Sequence, residues 1–542
     1  LILRCPHNSH RLAHAASIHN EQRVPFVLSG VTLLIDLAGW RSPSPVIVGE
    51  IYAVILREWQ HEVKKIKLKQ GTEVEAWTYN GTAPGPQIRV TQGDKLRVIL
   101  KNDLPEPTSI HWHGYPVPND MDGIPGVTQN AVKPGESFTY EFTATVPGTY
   151  WYHSHQNSVE QEDKGLYGSL VVEPKSPTAR YDKDVTLVLD EWMTGMDHSK
   201  MGMGNGNMSG MDHGNMNMGG GNMSGMNHGN MSMGGNMSGN SGGSGQTGSE
   251  MSHDAMMKQM YNVFTVNGAA GKMIQPIEVK PGERVKLRFV NAGFQTHLIH
   301  LHDQSFTITD TDGQPIQDPA PVTNQLLAIA PGERYDLEFT ASDKGFWIDD
   351  HADSPAAADI QIPVKIAGGD NQSSLSSAKD AKLPVIDMTA YGKKTNADGR
   401  KYNKAFTMEL NNVKTQSGEE VYTINGKTFP DTAPLSVEKG DWVKVTFVNR
   451  GTVDHPMHLH GHFFRVVTKN GQPVQGSPLL KDTLNVRPGE KYEVEFLADN
   501  PGQWMFHCHD LHHASAGMVT EVKYQGFKPS FTLDPTVGNK PE

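Results

Sequence analysis

From about Glu50 to about Tyr524, apolar and polar residues alternate in short runs. Turn signals such as Asn80-Gly81 and Pro84-Gly85-Pro86 break the runs. A period of two puts successive side chains on opposite faces of a strand, so the pattern predicts an all-β sandwich architecture. No long amphipathic helix interrupts it. Residues 1 to about 50 do not follow the pattern. Their apolar run, Val24–Trp40, resembles the core of an export signal, but Pro25 and Asp36 interrupt it. The run is short for a membrane span, and the segment reads as a leader or non-native extension. No other stretch is apolar enough to predict a span.

The alternating region contains an internal repeat. Gln92-Gly93-Asp94, Pro281-Gly282-Glu283 and Lys439-Gly440-Asp441 each precede an alternating strand. A His-x-His begins 18 residues after each of these glycines: His111/His113, His300/His302 and His458/His460. A second marker recurs as Pro134-Gly135-Glu136, Pro331-Gly332-Glu333 and Pro488-Gly489-Glu490. Thirteen residues after its glycine stands another: Gly148, Gly345 and Gly502. Five residues further on come His153-Ser154-His155 in the first unit and His507-Cys508-His509 in the third. The second unit has Asp350-His351-Ala352 there, a count that matches His351 to Cys508. Three copies of one β-sandwich module are predicted: residues 51–178, 179–370 and 371–542. The outer two carry complete pairs of His-x-His, eight histidines in all. The middle one reads as a spacer that lets them face each other.

Residues 193–260 break the repeat with low-complexity Met, Gly, Asn, Ser and His. Twelve of the 24 methionines fall between Met196 and Met237. Such a composition cannot bury a core and predicts a disordered insertion in the second module. A net charge of −12 gives no reason to expect nucleic acid. The chain has two cysteines, Cys5 and Cys508, so a ligand role for Cys508 leaves no disulfide.

The densest chemistry lies in His507-Cys508-His509-Asp510-Leu511-His512-His513, with Met518 beyond. Thiolate, imidazole and thioether are the ligand set of a blue-copper site: two His and one Cys, with a weak axial Met. The second imidazole is offered upstream by His455-Pro456-Met457-His458-Leu459-His460. On a strand His507 and His509 share one face and Cys508 the other. One segment can therefore hold two metal centres and link them through the cysteine backbone.

With these motifs in order, the chain resembles a three-domain multicopper oxidase of the bacterial laccase or cuprous oxidase kind, over about residues 50–525. His111-Trp112-His113-Gly114, His153-Ser154-His155, the His455–His462 stretch and the His507–Met518 stretch match its four copper motifs. The resemblance implies three cupredoxin-like Greek-key β-sandwich domains and four coppers per chain. It assigns His455, Cys508 and His513 to a type 1 copper, with Met518 axial. It assigns His111 and His458 to a type 2 copper. The type 3 pair falls to His113, His153, His155, His460, His507 and His509. It implies dioxygen as the oxidant, reduced to water. The donor is Cu(I), or phenols and aromatic amines as in a laccase. An extracytoplasmic location follows from the same resemblance.

Dioxygen reduction consumes protons, which calls for a carboxylate near the cluster. Asp122, in Asp120-Met121-Asp122-Gly123, reads equally as that acid and as an Asp-Gly turn residue. Asp510 is the alternative. Some bacterial relatives carry glutamates where this chain has His512 and Ala514. His462 and His512 fall outside the ligand pattern and read as packing or supporting groups. His297, His300, His302 and His351 read as a remnant, buried and hydrogen-bonded. The Met-rich insert, with His198, His213 and His228, reads as a copper-binding segment, since thioethers are soft ligands. A copper-sequestering protein with low oxidase activity is the rival reading. The complete ligand set argues against it, and also against a copper nitrite reductase, which needs no trinuclear set.

Overall fold

The computed structural model describes residues 23–28, 31–36, 54–194, 253–370, 382–394 and 400–542. Cys5, most of the expected leader and the body of the Met-rich insert lie outside the described residues. Within the leader, Arg23–Leu28 pairs antiparallel with Val31–Asp36, a pairing the sequence pattern did not suggest.

Strands dominate elsewhere and form three successive pairs of sheets, an all-β architecture. The metal motifs lie on the second sheet of each pair. In the third pair that sheet runs Leu435–Val437, Val519–Tyr524, Gln503–Cys508, His455–Leu459, Thr483–Val486. In the middle pair it runs Ile277–Val279, Gln361–Ile366, Phe346–Asp350, His297–Leu301, Leu327–Ile329, the same order. The first pair has Gly85–Thr91, Tyr167–Glu173, Gly148–His153, and His111 joins its edge by a bridge to His153. The repeated spacings are thus repeated topology.

The strand sequences explain the packing. Trp442–Asn449 alternates strictly between buried and half-buried positions, one face on its core. Arg284–Asn291, its counterpart in the middle module, is buried at all but its first residue. Here both faces are covered because the first module's strand Gly148–His153 packs beside it. Its inward charges are therefore paired: Arg288 donates to Asp184, Asp336 and Thr149 Oγ1 at 2.7–2.9 Å. A charge buried without such partners would cost several kcal/mol.

Few helices interrupt the sheets. Ser158–Asp163 follows the His153-Ser154-His155 motif and packs against Leu511–Ser515, which follows His507-Cys508-His509. Among the described residues no helix is long and apolar enough to cross a membrane.

Candidate metal centre

Two strands build the core of the site. His455–Leu459 lies beside Gln503–Cys508, with His458 opposite His507 and Met457 opposite Cys508. His111 and His153 face each other across the matching bridge in the first module. The eight expected histidines of the two outer modules, His111, His113, His153, His155, His458, His460, His507 and His509, are buried together. His113 stacks on His458 at 3.8 Å between ring centroids and His111 on His460 at 4.1 Å, so the two half-sites interdigitate.

Hydrogen bonds orient these rings. An acceptor at one imidazole nitrogen takes its proton and leaves the other as a lone pair. Nδ1 donates to the Asp122 carbonyl from His111 (2.8 Å), the Ser154 carbonyl from His153 (2.9 Å) and the Pro541 carbonyl from His155. It donates to the Asp482 carbonyl from His458 (3.1 Å), Asp122 Oδ2 from His460 (3.0 Å) and the Cys508 carbonyl from His507 (3.0 Å). All six therefore offer Nε2 inward. His113 is turned round: its Nε2 meets Thr483 Oγ1 at 3.1 Å and Asp482 Oδ1 at 3.3 Å, leaving Nδ1.

The inward nitrogens of His111, His113, His153, His155 and His458 have no hydrogen-bond partner. At about 1–3 kcal/mol for each unsatisfied buried group, these five cost on the order of a whole domain's stability. Cations at their centre would offset that cost. Burial, reinforced by the neighbouring imidazoles, holds His113, His153, His155, His460, His507 and His509 well below the usual histidine range. They stay neutral, so a metal meets lone pairs rather than protons.

Cys508 lies on the other face of the strand, fully buried, with Sγ 3.8 Å from His455 Nδ1 and 3.6 Å from His513 Nδ1. Burial pushes its thiol well above the usual range, so the thiolate depends on a cation beside it. Met518 is buried in the same core, and its carbonyl accepts from Cys508 N at 3.0 Å. His513 sits on the short helix Leu511–Ser515 with its ring stacked on Tyr422 at 3.9 Å.

Multicopper oxidase family models match residues 60–177, 184–364 and 398–526. A multicopper oxidase of Mycobacterium tuberculosis, MmcO, is 32% identical over 84% of each chain. The chain belongs to the multicopper oxidase family. It is similar to copper resistance protein A of Escherichia coli, 25% identical over 84% of this chain and 90% of that one. A multi-copper oxidase structure from Pseudomonas thermotolerans superposes with a TM-score of 0.62 at 25% identity, covering 87% of this chain and all of the other. Fet3p, at 22% identity, gives a TM-score of 0.67 over 87% of this chain and 91% of that one, which shows the shared fold. The chain is an oxidoreductase, and its family implies copper. The donor set fits that metal: a buried thiol among imidazoles, and orphaned imidazole nitrogens grouped within 4.8 Å of one another.

Several groups around the centre of this oxidase have no sequence signature. Arg334, the first residue of the strand Arg334–Thr340 that follows the Pro331-Gly332-Glu333 turn, donates to both oxygens of Asp482 at 2.6–2.7 Å and to the Thr149 carbonyl at 3.2 Å. One side chain thus ties all three modules together beside His113 and His458. Removing one partner of such a buried pair costs about 3–5 kcal/mol. Gly332 has φ +81°, and a Cβ there would stand 3.0 Å from both His113 and His509. The middle module is therefore more than a spacer; its turn forms a wall of the centre. Glu162 approaches His153 Nδ1, and Glu542 Oε1 lies 3.1 Å from His507 Nδ1.

The two candidate acids are placed differently. Asp122 reaches the centre: Oδ2 accepts from His460, and Oδ1 is 3.2 Å from His111 Nδ1. Asp510 instead caps the short helix, Oδ1 accepting from His512 N and His513 N, with Oδ2 3.4 Å from His513 Nε2. His462 Nδ1 donates to the His460 carbonyl at 3.0 Å and its Nε2 meets Tyr524 OH at 2.7 Å, while His512 Nε2 meets Tyr261 OH at 3.0 Å.

In the middle module the strand register corrects the glycine count by one residue. His300 lies opposite Asp349 as His458 lies opposite His507, so Asp350, not His351, holds the place of Cys508. His297 Nδ1 is 2.7 Å from Asp350 Oδ2, and its Nε2 is 2.9 Å from Glu191 Oε1. Burial opposes its charge, but the two carboxylates hold His297 up at about 10. The counterpart of the thiolate site is an ion triad.

Proposed function

We propose that this multicopper oxidase oxidises Cu(I) with dioxygen, in copper tolerance, and that its ligands divide as the motifs suggest. His455, Cys508 and His513, with Met518 axial, hold a type 1 copper. His111 and His458 hold a type 2 copper. His113, His153, His155, His460, His507 and His509 hold a type 3 pair, giving four coppers per chain. Residues 51–178, 179–370 and 371–542 are the three domains. The observation that carries the reading is Cys508 beside His455 and His513 on one face of its strand, with His507 and His509 among the clustered histidines on the other. Copper held in this way supplies one-electron oxidation of the donor and four-electron reduction of dioxygen to water. The chain's part is to keep its imidazoles neutral and aimed, and to hold a carboxylate, Asp122, against His460.

Cu(I) as the donor is supported by where the Met-rich insert is rooted. It leaves after Thr194 and returns by the helix His253–Met260, and the two ends are tied by Thr194 N to Asn262 Oδ1 at 3.0 Å. Tyr261, at the returning end, meets His512, and Phe294 packs edge-on to the same ring at 5.0 Å. His512 precedes His513, a ligand of the proposed type 1 copper. Thioethers in the insert would deliver Cu(I) beside the group that oxidises it. Copper tolerance is the role that the name copper resistance protein A gives a relative, and Cu(I) detoxification suits an extracytoplasmic location. A phenol-oxidising laccase is the second reading, favoured by the similarity to Laccase-1 of Cryptococcus neoformans, 26% identical over 86% of this chain.

Oxygen uptake by the copper-loaded protein separates them. Fast uptake with chelated Cu(I), and slow uptake with a simple phenol unless copper is added, is the expected result. Deleting residues 196–240 should weaken Cu(I) oxidation and leave phenol oxidation nearly intact. Fast uptake with the phenol alone would favour the laccase reading, and no uptake with either donor would favour sequestration. Replacing the axial ligand gives a separate check. An axial donor stabilises Cu(II), so Met518→Leu should raise the type 1 potential; an unchanged potential in a redox titration would remove Met518 from the ligand set.

A further inference from the structure

The middle module keeps a half-site that the oxidase chemistry leaves unused. By register, His300 and His302 stand where the third module has His458 and His460, and Asp349 and His351 stand where it has His507 and His509. Three imidazoles and one carboxylate therefore replace four imidazoles. The outer half-sites interdigitate with each other, and this one is left to itself.

Its geometry departs from a hydrogen-bonded remnant. One ligand atom from each of His300, His302, Asp349 and His351 lies within 4.8 Å of all the others. Asp349 Oδ1 is already 2.7 Å from His302 Nε2 and 3.2 Å from His351 Nε2. Four donors around one tetrahedral ion, at bonds of about 2.0–2.1 Å, sit roughly 3.3 Å apart. The 3.2 Å spacing meets that figure, the 2.7 Å one is shorter, and side-chain rotations of roughly an ångström bring the donors to it. His300 is 2% exposed, and neither of its ring nitrogens has a partner in hydrogen-bond geometry. The Asn324 side chain is a polar neighbour of the ring. Asp349 Oδ2 is likewise buried without a partner. A satisfied remnant would leave neither group orphaned. The His302 and His351 side chains are each 9% exposed, so the cluster lies just beneath the surface, within reach of an ion.

We propose that His300, His302, Asp349 and His351 form a mononuclear site for a divalent ion of borderline softness, Cu(II) or Zn(II), separate from the oxidase coppers. Three imidazoles and a carboxylate suit these ions, and the absence of a thiolate or thioether removes the preference for Cu(I). Hard ions such as Mg(II) are excluded by the same donor set, since they require an oxygen shell. The site needs no electron-transfer link, and the ion triad at His297 supplies none.

Zinc uptake tests this, because it can be counted while the oxidase coppers stay in place. The copper-loaded full chain is dialysed against Zn(II), and zinc and copper per chain are measured by atomic emission. His300→Ala/His302→Ala should bind one zinc fewer than the unaltered chain, with equal copper and equal blue absorption. Comparing the two chains cancels zinc held by the Met-rich insert, which both contain. Asp349→Asn and His351→Ala, each a milder change, should weaken zinc binding at least tenfold and keep the blue absorption. Substituting Mg(II) for Zn(II) should give no difference between the chains. Equal zinc in the unaltered chain and in His351→Ala would overturn the proposal. So would a loss of zinc in every variant that tracks loss of blue absorption, since the residues would then be scaffold rather than ligands.

Discussion

Cys508→Ser is expected to remove the blue absorption and bring oxygen uptake to background with every donor, while copper per chain falls by about one rather than four. Cys508 is the one free thiol among the described residues, and it sits between His455 Nδ1 and His513 Nδ1. Burial resists ionisation of the thiol, and an alcohol in its place resists it far more. Serine is close in size to cysteine, so the core keeps its shape at a cost of about 1–3 kcal/mol for a buried hydroxyl. The neighbouring histidines do not depend on sulfur for orientation. His507 Nδ1 is fixed by the Cys508 carbonyl, and His509 N by the Pro456 carbonyl at 2.6 Å, both main-chain contacts. The cluster should therefore load normally and receive no electrons. Copper analysis and oxygen electrode readings on the same sample decide it; a blue, active variant would end the assignment of Cys508.

The sequence carries the module repeat because short-range markers fix it. A glycine turn, an alternating strand and a His-x-His at constant spacing recur wherever the same strand order recurs. The ligand motifs are legible for the same reason, since each is a contiguous stretch. What stays hidden is long-range. Arg334 and Asp482 are 148 residues apart and bear no motif, yet they clamp two cluster histidines. Glu162 and Glu542 come to the centre from a helix and from the last described residues. The single-residue error in the middle module has a physical cause as well. Counting from Gly345 assumes a loop of constant length, but ladder pairing sets the register, and a slip of one would reverse which side chains face the core. Reading His300 opposite Asp349 restores the half-site that the count had split. Asp510 illustrates a further limit: an acid three residues before His513 caps a helix and braces that ring, a role that depends on a five-residue helix the pattern does not announce.

Asp122→Asn is expected to lower saturated turnover by about 10²–10⁴-fold, or about 3–5 kcal/mol of barrier, while copper content and blue absorption hold. The acid reading and the turn reading of Asp122 do not exclude each other. Gly123 adopts φ +82°, and a Cβ there would lie 1.8 Å from the Ile110 carbonyl, so only glycine lets the turn close. That turn presses the Asp122 side chain between His111 and His460, where Oδ2 accepts from one ring and Oδ1 approaches the other. Asparagine keeps an oxygen that His460 Nδ1 can donate to, so the ring stays aimed. It cannot take up or release a proton at Oδ2, which is the property the reaction needs. The loss should therefore appear in oxygen reduction and not in the donor's half of the reaction. Bleaching of the blue colour by donor under nitrogen should proceed at the unaltered rate, while its return on admitting oxygen slows. Asp122→Glu should restore part of the turnover, since it returns a carboxylate to the same gap. Unchanged turnover in Asp122→Asn would exclude the acid role. Loss of cluster copper together with activity would make Asp122 a positioning residue for His111 and His460.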